Sequence, residues 1–374
     1  MISPSFFFDT VRESGVGFFT GVPDSLLKSL CAYITEHVSD REHIIAVNEG
    51  CAVGIAAGYH LSTGKIPLVY MQNSGMGNAT NPLLSLADSD VYKIPMLLVI
   101  GWRGEPGVHD EPQHVKQGKV TCTLLETMGI PYRILPDGEE ECSAVLKECF
   151  DIIAETSSPC AVVVRKNTFE PYKLEKKPEP AYEMSREQAI EAVVSSLPGD
   201  TIFVSTTGMA SRELYEIRER NGEPHSSDFL TVGSMGHASQ IALGIAMNTP
   251  GRTVCCIDGD GAALMHMGGM ATIGTVSPDN YVHIVINNGV HDSVGGQPLI
   301  SRQIDLESAA KSFGYGNAVT VETKDGLKKS LENRNGLLFV QIMVHTGNRP
   351  DLGRPKSTPV ENKITLMENI RGTL

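Results

Sequence analysis

Two short polar motifs in the second half of the chain, Gly259-Asp260-Gly261 and Asn287-Asn288, have residue types suited to metal and phosphate binding. Each follows an apolar run typical of a buried strand, and 25 residues separate them. Carboxyl ends of parallel strands form the ligand-binding edge of a doubly wound sheet, so these side chains are expected to meet there. Their oxygens suit Mg²⁺ shared with phosphate groups, and the glycines let the backbone approach a diphosphate. A Gly-Asp-Gly triplet alone is a common turn; the strand context and the asparagine pair favour the metal site.

Glu49 marks a second candidate site, in the first half of the chain. It begins a stretch rich in small residues and follows the apolar run His43–Val47. Electrostatics alone favour a glutamate at a helix N-terminus. Glu49 is therefore either an ordinary first-turn residue or an acid placed at the end of a buried strand.

A polar loop over residues 102–114 follows an apolar run and contains Arg103, His109, Asp110 and His114. Arginine and histidine side chains at a sheet edge are suited to binding an anion and transferring protons. A solvated surface loop and a metal site are the alternatives. The metal site is the weaker one, because His109 and His114 stand five positions apart and do not share a helix face.

Three more segments place polar groups after apolar runs. Ser74 and Gly75 lie in a loop that follows the run Ile66–Met71. Thr206 and Thr207 either donate to a diphosphate or cap a turn and helix. His291, just after the asparagine pair, either reaches over a bound group or caps the next turn.

The elements that must position these residues follow from the hydrophobic pattern. Runs rich in Val, Ile and Leu, separated by helical patterns, are typical of buried parallel strands in βαβ units. Six such runs occur in each half of the chain: Val16–Phe19, His43–Val47, Ile66–Met71, Pro95–Ile100, Tyr132–Leu135 and Cys160–Val164, then Thr201–Ser205, Phe229–Val232, Thr253–Ile257, Tyr281–Ile286, Ala318–Val321 and Leu337–Val344. The sequence therefore predicts an α/β protein with two doubly wound parallel-sheet domains.

A charged stretch with three prolines separates the two halves, and its composition disfavours both helix and strand. We predict domains over residues 1–170 and 185–374, joined by a linker over residues 171–184. Ser185 and Gln188 fit a capping box, which predicts that the first helix of the second domain begins there.

The Gly-Asp-Gly and Asn-Asn motifs at this spacing resemble the signature of thiamine diphosphate-dependent enzymes. Glu49 and its small-residue helix resemble the activating glutamate of their pyrimidine-binding (PYR) domain. The resemblance covers nearly the whole chain, with a PYR-like half before a diphosphate-binding (PP) half. It implies thiamine diphosphate and Mg²⁺ as cofactors, and a fold without the central third domain of larger decarboxylases, since the linker leaves no room for one.

The resemblance also implies roles for individual residues. Asp260, Asn288 and the carbonyl of Val290 would be the protein ligands of Mg²⁺. The Gly233 carbonyl would accept from the amino group of the cofactor, and Met235 would hold the cofactor bent; a core methionine is the alternative for Met235. Thr206, Thr207, Gly259 and Gly261 would lie at the diphosphate, and Glu49 would bond the aminopyrimidine ring and promote its imino tautomer.

Asp110 to His114, Asp-Glu-Pro-Gln-His, resemble a signature in the branch of this family that decarboxylates phosphonopyruvate or sulfopyruvate. The resemblance implies decarboxylation of 3-phosphonopyruvate. Proton transfer or phosphonate recognition would fall to the histidines, arginine and aspartate of the loop and to His291, with Ser74 and Gly75 facing the substrate. Sulfopyruvate, another 2-keto acid or carbanion transfer to an aldehyde is the alternative, as is a non-catalytic cofactor-binding protein. The joint presence of Glu49, Asp260 and Asn288 argues against the last.

Composition limits the partners. The chain has 374 residues and a net charge of −13, which argues against a broad nucleic-acid surface and requires local donors for an anionic substrate. Eight cysteines without a Cys-x-x-Cys pair indicate reduced thiols in a cytoplasmic protein. Apolar runs fall short of the roughly 18 residues of a membrane span. The family resemblance implies a homo-oligomer with active sites between the PYR half of one subunit and the PP half of another.

Overall fold

The computed structural model describes residues 1–175 and 182–372. Its strands are β1 (Val16–Gly21), β2 (His43–Ile45), β3 (Ile66–Gln72), β4 (Leu97–Gly101), β5 (Tyr132–Ile134), β6 (Cys160–Val164), β7 (Ile202–Ser205), β8 (Asp228–Leu230), β9 (Val254–Gly259), β10 (Tyr281–Asn287), β11 (Val290–His291), β12 (Gln297–Pro298), β13 (Asn317–Val321) and β14 (Leu338–Met343). Its α-helices are α1 (Pro4–Glu13), α2 (Lys28–His37), α3 (Glu49–Thr63), α4 (Met76–Pro82), α5 (Pro112–Thr127), α6 (Glu139–Thr156), α7 (Arg186–Ser196), α8 (Met209–Asn221), α9 (Ala238–Ala246), α10 (Asp260–Met265), α11 (Gly268–Val276), α12 (Leu306–Ser312), α13 (Lys324–Glu332) and α14 (Pro359–Gly372).

The predicted fold class is confirmed. All twelve apolar runs form strands, with ends that differ from the predicted ones by a few residues. Strands β1 to β6 form one six-stranded sheet, and β7 to β10 with β13 and β14 form another. Every pairing within the two sheets is parallel. The pattern of the sequence did not predict β11 and β12, which form a separate two-stranded sheet.

The two sheets have the same topology. The first has the strand order β2-β1-β3-β4-β6-β5, and the second, read in the same direction, has β8-β7-β9-β10-β14-β13. In each sheet the order reverses between the first and third strands in sequence. Such a reversal is the switch point at which doubly wound sheets bind ligands.

Both faces of the first sheet are buried in apolar cores. Along β4, Leu97 and Val99 belong to one core with Phe19, whereas Leu98 and Ile100 belong to the core on the opposite face. This alternation explains why the strand reads as a continuous apolar run. In the second sheet, Val282, Ile284 and Ile286 of β10 lie in one core.

Two compact units contain these sheets. The first unit holds the first sheet and also takes in residues 291–298, where the Thr35 hydroxyl of α2 donates to Gln297 Oε1 at 2.8 Å. The second unit holds the second sheet. Residues 176–181 of the predicted linker lie outside the described residues, while 171–175 and 182–184 contain neither helix nor strand.

Two local predictions are confirmed, one at the start of the second unit and one across both units. The Ser185 side chain accepts from the Gln188 N–H at 3.2 Å, and the Gln188 side chain accepts from the Ser185 N–H at 2.8 Å, which completes the capping box. The eight cysteines are free thiols. Within the described residues, the helices are too short or too polar to cross a bilayer.

The side chain of His43, on the edge strand β2, makes stability of the first unit depend on pH. Its Nε2 lies 2.8 Å from the Tyr70 hydroxyl. Burial lowers the pKa of His43 to about 4, although the charge of Asp40 opposes the shift. An unfolded histidine titrates near pH 6.5, so the unfolded chain binds the extra proton first as the pH falls, and the free energy of unfolding decreases from about pH 6.5 downward.

Between pH 7 and pH 4.5 the free energy of unfolding of wild type should decrease as His43 titrates. Because glutamine cannot titrate, we predict that this decrease is about 2 kcal/mol smaller in His43→Gln. Urea unfolding followed by circular dichroism at several pH values measures the difference. The matched variant His37→Gln, on an exposed histidine, should follow the wild-type pH dependence. Parallel curves for wild type and His43→Gln would contradict the prediction.

Candidate active site

Asp260 lies at the carboxyl edge of the second sheet, as the first residue of α10 after β9. Its side chain is 4% exposed. Oδ1 accepts from the Gly261 N–H at 2.9 Å, and Oδ2 accepts from the Gly289 N–H at 3.0 Å and the Ser301 hydroxyl at 2.7 Å. Burial raises the pKa of Asp260 to about 6, and these hydrogen bonds oppose the rise.

The donor set beside Asp260 fits a divalent cation. Among the described residues, the partners of this carboxylate are uncharged hydrogen-bond donors, so its buried charge lacks a cationic side chain. Asn288 is buried, and its Oδ1 accepts from the Val290 N–H at 3.2 Å in the turn after β10. A carboxylate, a carboxamide and a backbone carbonyl supply the oxygen ligands that Mg²⁺ prefers.

The loops at this edge contact one another. The Gly233 N–H donates to Thr207 Oγ1 at 2.8 Å, which joins the loop after β7 to the loop after β8. Thr206 lies next to the loop after β9, since a Cβ on Gly259 would be 3.9 Å from its methyl carbon. The structure thus brings Thr206, Thr207, Gly233 and Gly259 to one edge of the sheet.

The loop that contains Met235 has a constrained backbone. Gly233 and Ser234 have φ values of 74° and 48°, in the left-handed region. A serine in that region costs free energy, which surrounding structure must offset, and such residues cluster at functional sites. Met235 is half-buried at the loop's centre.

In the first unit, Glu49 is the first residue of α3 and is 5% exposed. The helix is capped by Asn48, whose Oδ1 accepts from the Gly50 N–H at 2.7 Å. Glu49 Oε2 accepts from Asn78 Nδ2 at 2.7 Å. Gly75 packs so closely that a Cβ there would be 2.6 Å from the Glu49 carboxyl carbon. The carboxyl group is therefore held in one place.

Asn73 connects two loops at the same edge of the first sheet. Its Nδ2 donates to the Arg103 carbonyl at 2.8 Å and to Thr121 Oγ1 at 2.9 Å, and its Oδ1 accepts from the Arg103 N–H at 3.3 Å. The next residues, Ser74 and Gly75, continue the same 3₁₀ turn, with Ser74 exposed. The loop after β3 thereby contacts both the buried glutamate and the loop after β4.

Arg103, expected to bind an anion, already contacts a carboxylate of its own loop. Its Nε and Nη2 donate to the two oxygens of Asp110, and its Nη1 donates to Ser25 Oγ at 2.8 Å. Asp110 also accepts from the N–H groups of Gly104 and Glu111. Although burial opposes the change, the hydrogen bonds from Arg103 and Gly104 lower the pKa of Asp110.

The three candidate histidines differ in their surroundings. His109 is exposed in the loop. His114, near the start of α5, is 9% exposed, and burial followed by the charge of Arg103 lowers its pKa to about 4. His291 belongs to the first unit, and burial lowers its pKa to about 4 as well. His114 and His291 are thus neutral imidazoles at neutral pH.

Several polar residues of these edges were not assigned from the sequence: Ser301, Asn78, Asn73 and Asp24. Asp24 is fully buried after β1; its Oδ2 accepts from the N–H groups of Leu26 and Leu27, and burial raises its pKa. A polar residue within a few positions of the end of an apolar run is a usable signal for Asn73 and Asp24. Ser301 has none, because 41 positions separate it from Asp260.

Comparison with known proteins finds a family match in each half of the chain. Residues 5–123 match the N-terminal TPP binding domain of thiamine pyrophosphate enzymes, and residues 205–341 match their C-terminal TPP binding domain.

Full-length relatives extend the match. Phosphonopyruvate decarboxylase from Streptomyces viridochromogenes is 35% identical over 365 residues, covering 93% of this chain and 89% of that protein. The enzyme of the same name from Streptomyces hygroscopicus is 35% identical over 381 residues, covering 96% and 92%. Sulfopyruvate decarboxylase from Methanosarcina acetivorans is 30% identical over 366 residues, covering 91% and 90%.

The pair Arg103–Asp110 is expected to hold the loop after β4. We predict that Asp110→Asn lowers the free energy of unfolding by about 1–2 kcal/mol, because the half-buried guanidinium loses its charge partner. Tryptic cleavage after Arg103 should also become faster. Asp137→Asn, on an exposed carboxylate, is the control for urea unfolding and proteolysis. Equal behaviour of the two variants would show that the ion pair does not order the loop.

Proposed function

Since the chain belongs to the family of thiamine pyrophosphate enzymes, we propose that it decarboxylates 3-phosphonopyruvate. The products would be phosphonoacetaldehyde and carbon dioxide, and Mg²⁺ would be the second cofactor. The observation that carries the proposal is the match to phosphonopyruvate decarboxylases along 93% of the chain or more. Thiamine diphosphate, when bound, supplies the electron sink for loss of the carboxylate.

In the second unit we assign the diphosphate and metal site. Asp260 and Asn288 would hold Mg²⁺ with the Val290 carbonyl, because their oxygens are hard ligands and the described residues place no cationic side chain on the buried carboxylate. Thr206, Thr207, Gly259 and Gly261 lie at the diphosphate, and the Gly233 carbonyl and Met235 contact the remainder of the cofactor. Residues 185–374 form the PP domain in this assignment.

In the first unit, which we assign as the PYR domain over residues 1–170, the Glu49 carboxyl group would hydrogen-bond the aminopyrimidine ring of a bound cofactor and would hold or release a proton there. Its contacts with Asn78 and Gly75 support this role, since a general acid–base group must be held within hydrogen-bond reach. The reaction replaces a carboxylate by a proton, so a second donor is needed. His109, His114 and His291 are the candidates for this proton transfer. Asp110, whose two oxygens accept from Arg103, would instead act by orienting that guanidinium.

Recognition of the phosphonate is assigned to Arg103, His109 and His114, with Ser74 and Gly75 lining the substrate. Two nitrogens of the Arg103 guanidinium, Nε and Nη2, already donate to Asp110. The substrate would therefore be bound by the remaining N–H groups of Arg103 and by neighbouring donors. Local donors are required because the chain as a whole carries a net charge of −13.

Self-association completes the site in this proposal, with the PYR domain of one subunit meeting the PP domain of another. We place the enzyme in the cytoplasm, where its eight free cysteines remain reduced. Neither nucleic acid nor membrane is among its proposed partners, since the acidic composition disfavours the first.

Sulfopyruvate is the second candidate substrate, favoured by the match to the Methanosarcina acetivorans enzyme along 91% of the chain. Purified protein with thiamine diphosphate and Mg²⁺ is tested on 3-phosphonopyruvate, sulfopyruvate and pyruvate, with carbon dioxide release and the aldehyde product measured. We expect kcat/KM for phosphonopyruvate to exceed that for sulfopyruvate by about tenfold or more. A preference for sulfopyruvate would show that sulfopyruvate is the substrate. Cofactor binding without any release of carbon dioxide would contradict the proposed decarboxylase activity.

Glu49→Gln should fold and bind thiamine diphosphate, because the amide can still accept from Asn78. Decarboxylation should fall by about 10²–10⁴-fold, since the proton-exchanging carboxyl is lost. Steady-state rates at saturating cofactor, beside calorimetric cofactor binding, measure both quantities. Near-wild-type turnover by Glu49→Gln would contradict the proposed proton-exchanging role of Glu49.

Gly75→Ala tests the position of Glu49 without removing its carboxyl. The added Cβ would overlap the glutamate side chain, and we expect kcat to fall by about tenfold or more. Gly77→Ala is the matched control, because a Cβ there has no atom within 4 Å. Equal rates for the two alanine variants would show that the close contact with Glu49 has no catalytic consequence.

A further inference from the structure

A buried hydroxyl links Asp260 to the first residue of the asparagine pair. Ser301 lies in the 3₁₀ turn Ile300–Gln303, and its Oγ is 2.7 Å from Asp260 Oδ2 and 3.0 Å from Asn287 Oδ1. Ser301 and Asn287 are fully buried, and Asp260 is 4% exposed. Water therefore has no access to satisfy any of the three groups.

The hydroxyl has a single proton and faces two oxygens. A carboxylate oxygen can only accept a hydrogen bond, so the Ser301 hydroxyl donates to Asp260 Oδ2, which is also the nearer of the two oxygens. Asn287 must then donate to Ser301 Oγ. The oxygen and nitrogen of a side-chain amide are distinguished by their hydrogen-bond network. When Oδ1 faces Ser301, the buried Asn287 Nδ2 has no hydrogen-bond partner among the described residues. Rotating the amide by 180° turns Nδ2 toward Ser301 and removes the conflict.

The result is a directed chain of hydrogen bonds, from Asn287 N–H to the Ser301 oxygen and from the Ser301 O–H to Asp260. Oδ2 then accepts two hydrogen bonds, from Ser301 and from the Gly289 N–H. Oδ1 accepts one, from the Gly261 N–H. Each carboxylate oxygen has two lone pairs, so Oδ1 is the oxygen that keeps one for a cation.

We propose that Ser301 and Asn287 are positioning residues of the Mg²⁺ site, which orient Asp260 so that it binds the metal through Oδ1 alone. The inference rests on the proposed function, because it takes Asp260 as a metal ligand. It gives Asn287 a role distinct from that of Asn288: the first asparagine directs the hydroxyl proton, and the second supplies an oxygen to the metal.

The test is Mg²⁺ affinity, measured by calorimetry in the presence of thiamine diphosphate. Ser301→Ala should weaken Mg²⁺ binding by about tenfold or more, as loss of residues that orient a ligand typically does. Ser301→Cys, nearly the same size but a weak donor, should show an intermediate loss, and it serves if the alanine variant does not fold. Ser330→Ala, which removes a serine hydroxyl bonded to the Gly326 carbonyl elsewhere in the unit, should bind Mg²⁺ like wild type.

A double-mutant cycle separates a directed chain from two independent contacts. Asn287→Ala should weaken Mg²⁺ binding in the wild-type background and add little in the Ser301→Ala background. Additive losses, or unchanged affinity in Ser301→Ala, would overturn the inference. If wild-type protein itself binds neither Mg²⁺ nor thiamine diphosphate, the proposed function fails instead, so the two failures are distinguishable.

Discussion

A carboxylate buried beside the second sheet, without a cation among the described residues, requires donors from several loops at once. Asp260 receives them from its own helix, from the turn after β10 and from the 3₁₀ turn at Ser301. Leaving any of its oxygens unsatisfied would cost about 1–3 kcal/mol. The turn that carries Asn288 and Val290 is consequently held against Asp260 through the Gly289 N–H.

The charged side chains beside the first sheet are held by neutral groups and by an ion pair within one loop. Glu49 is fixed by an amide and by the close approach of Gly75, and Asn73 ties the loop after β3 to the loop after β4. Arg103 is paired with Asp110 instead of standing free. An anionic ligand at this edge would therefore bind a guanidinium that is already oriented, but whose positive charge is partly neutralised by Asp110.

Much of this architecture can be predicted from the sequence, because the signals are local. Buried parallel strands read as continuous apolar runs, and helix caps such as Ser185 need only four residues. Glu49, Asp260 and Asn288 stand at the ends of such runs, where topology places ligand sites. The strand order, the Asp110 contact of Arg103 and the Ser301 contact of Asp260 are not predictable in this way. The strand order and the Ser301 contact depend on which distant segments meet, and the sequence around Ser301 does not mark a partner 41 positions away. The Arg103 contact is local, but it depends on the conformation of an irregular loop that has no helix or strand periodicity.

The strand order also dictates when each strand can pair during synthesis. Among the described residues β5 pairs only with β6, and 25 residues of chain separate the two strands. At about 5–20 residues per second, an emerging chain holds β5 without its neighbour for roughly one to five seconds. The intervening helix α6 is made first and offers a contact, since Arg133 of β5 pairs with Glu148 at 2.8 Å. A charged residue on a strand that waits unpaired also discourages its association with other nascent chains.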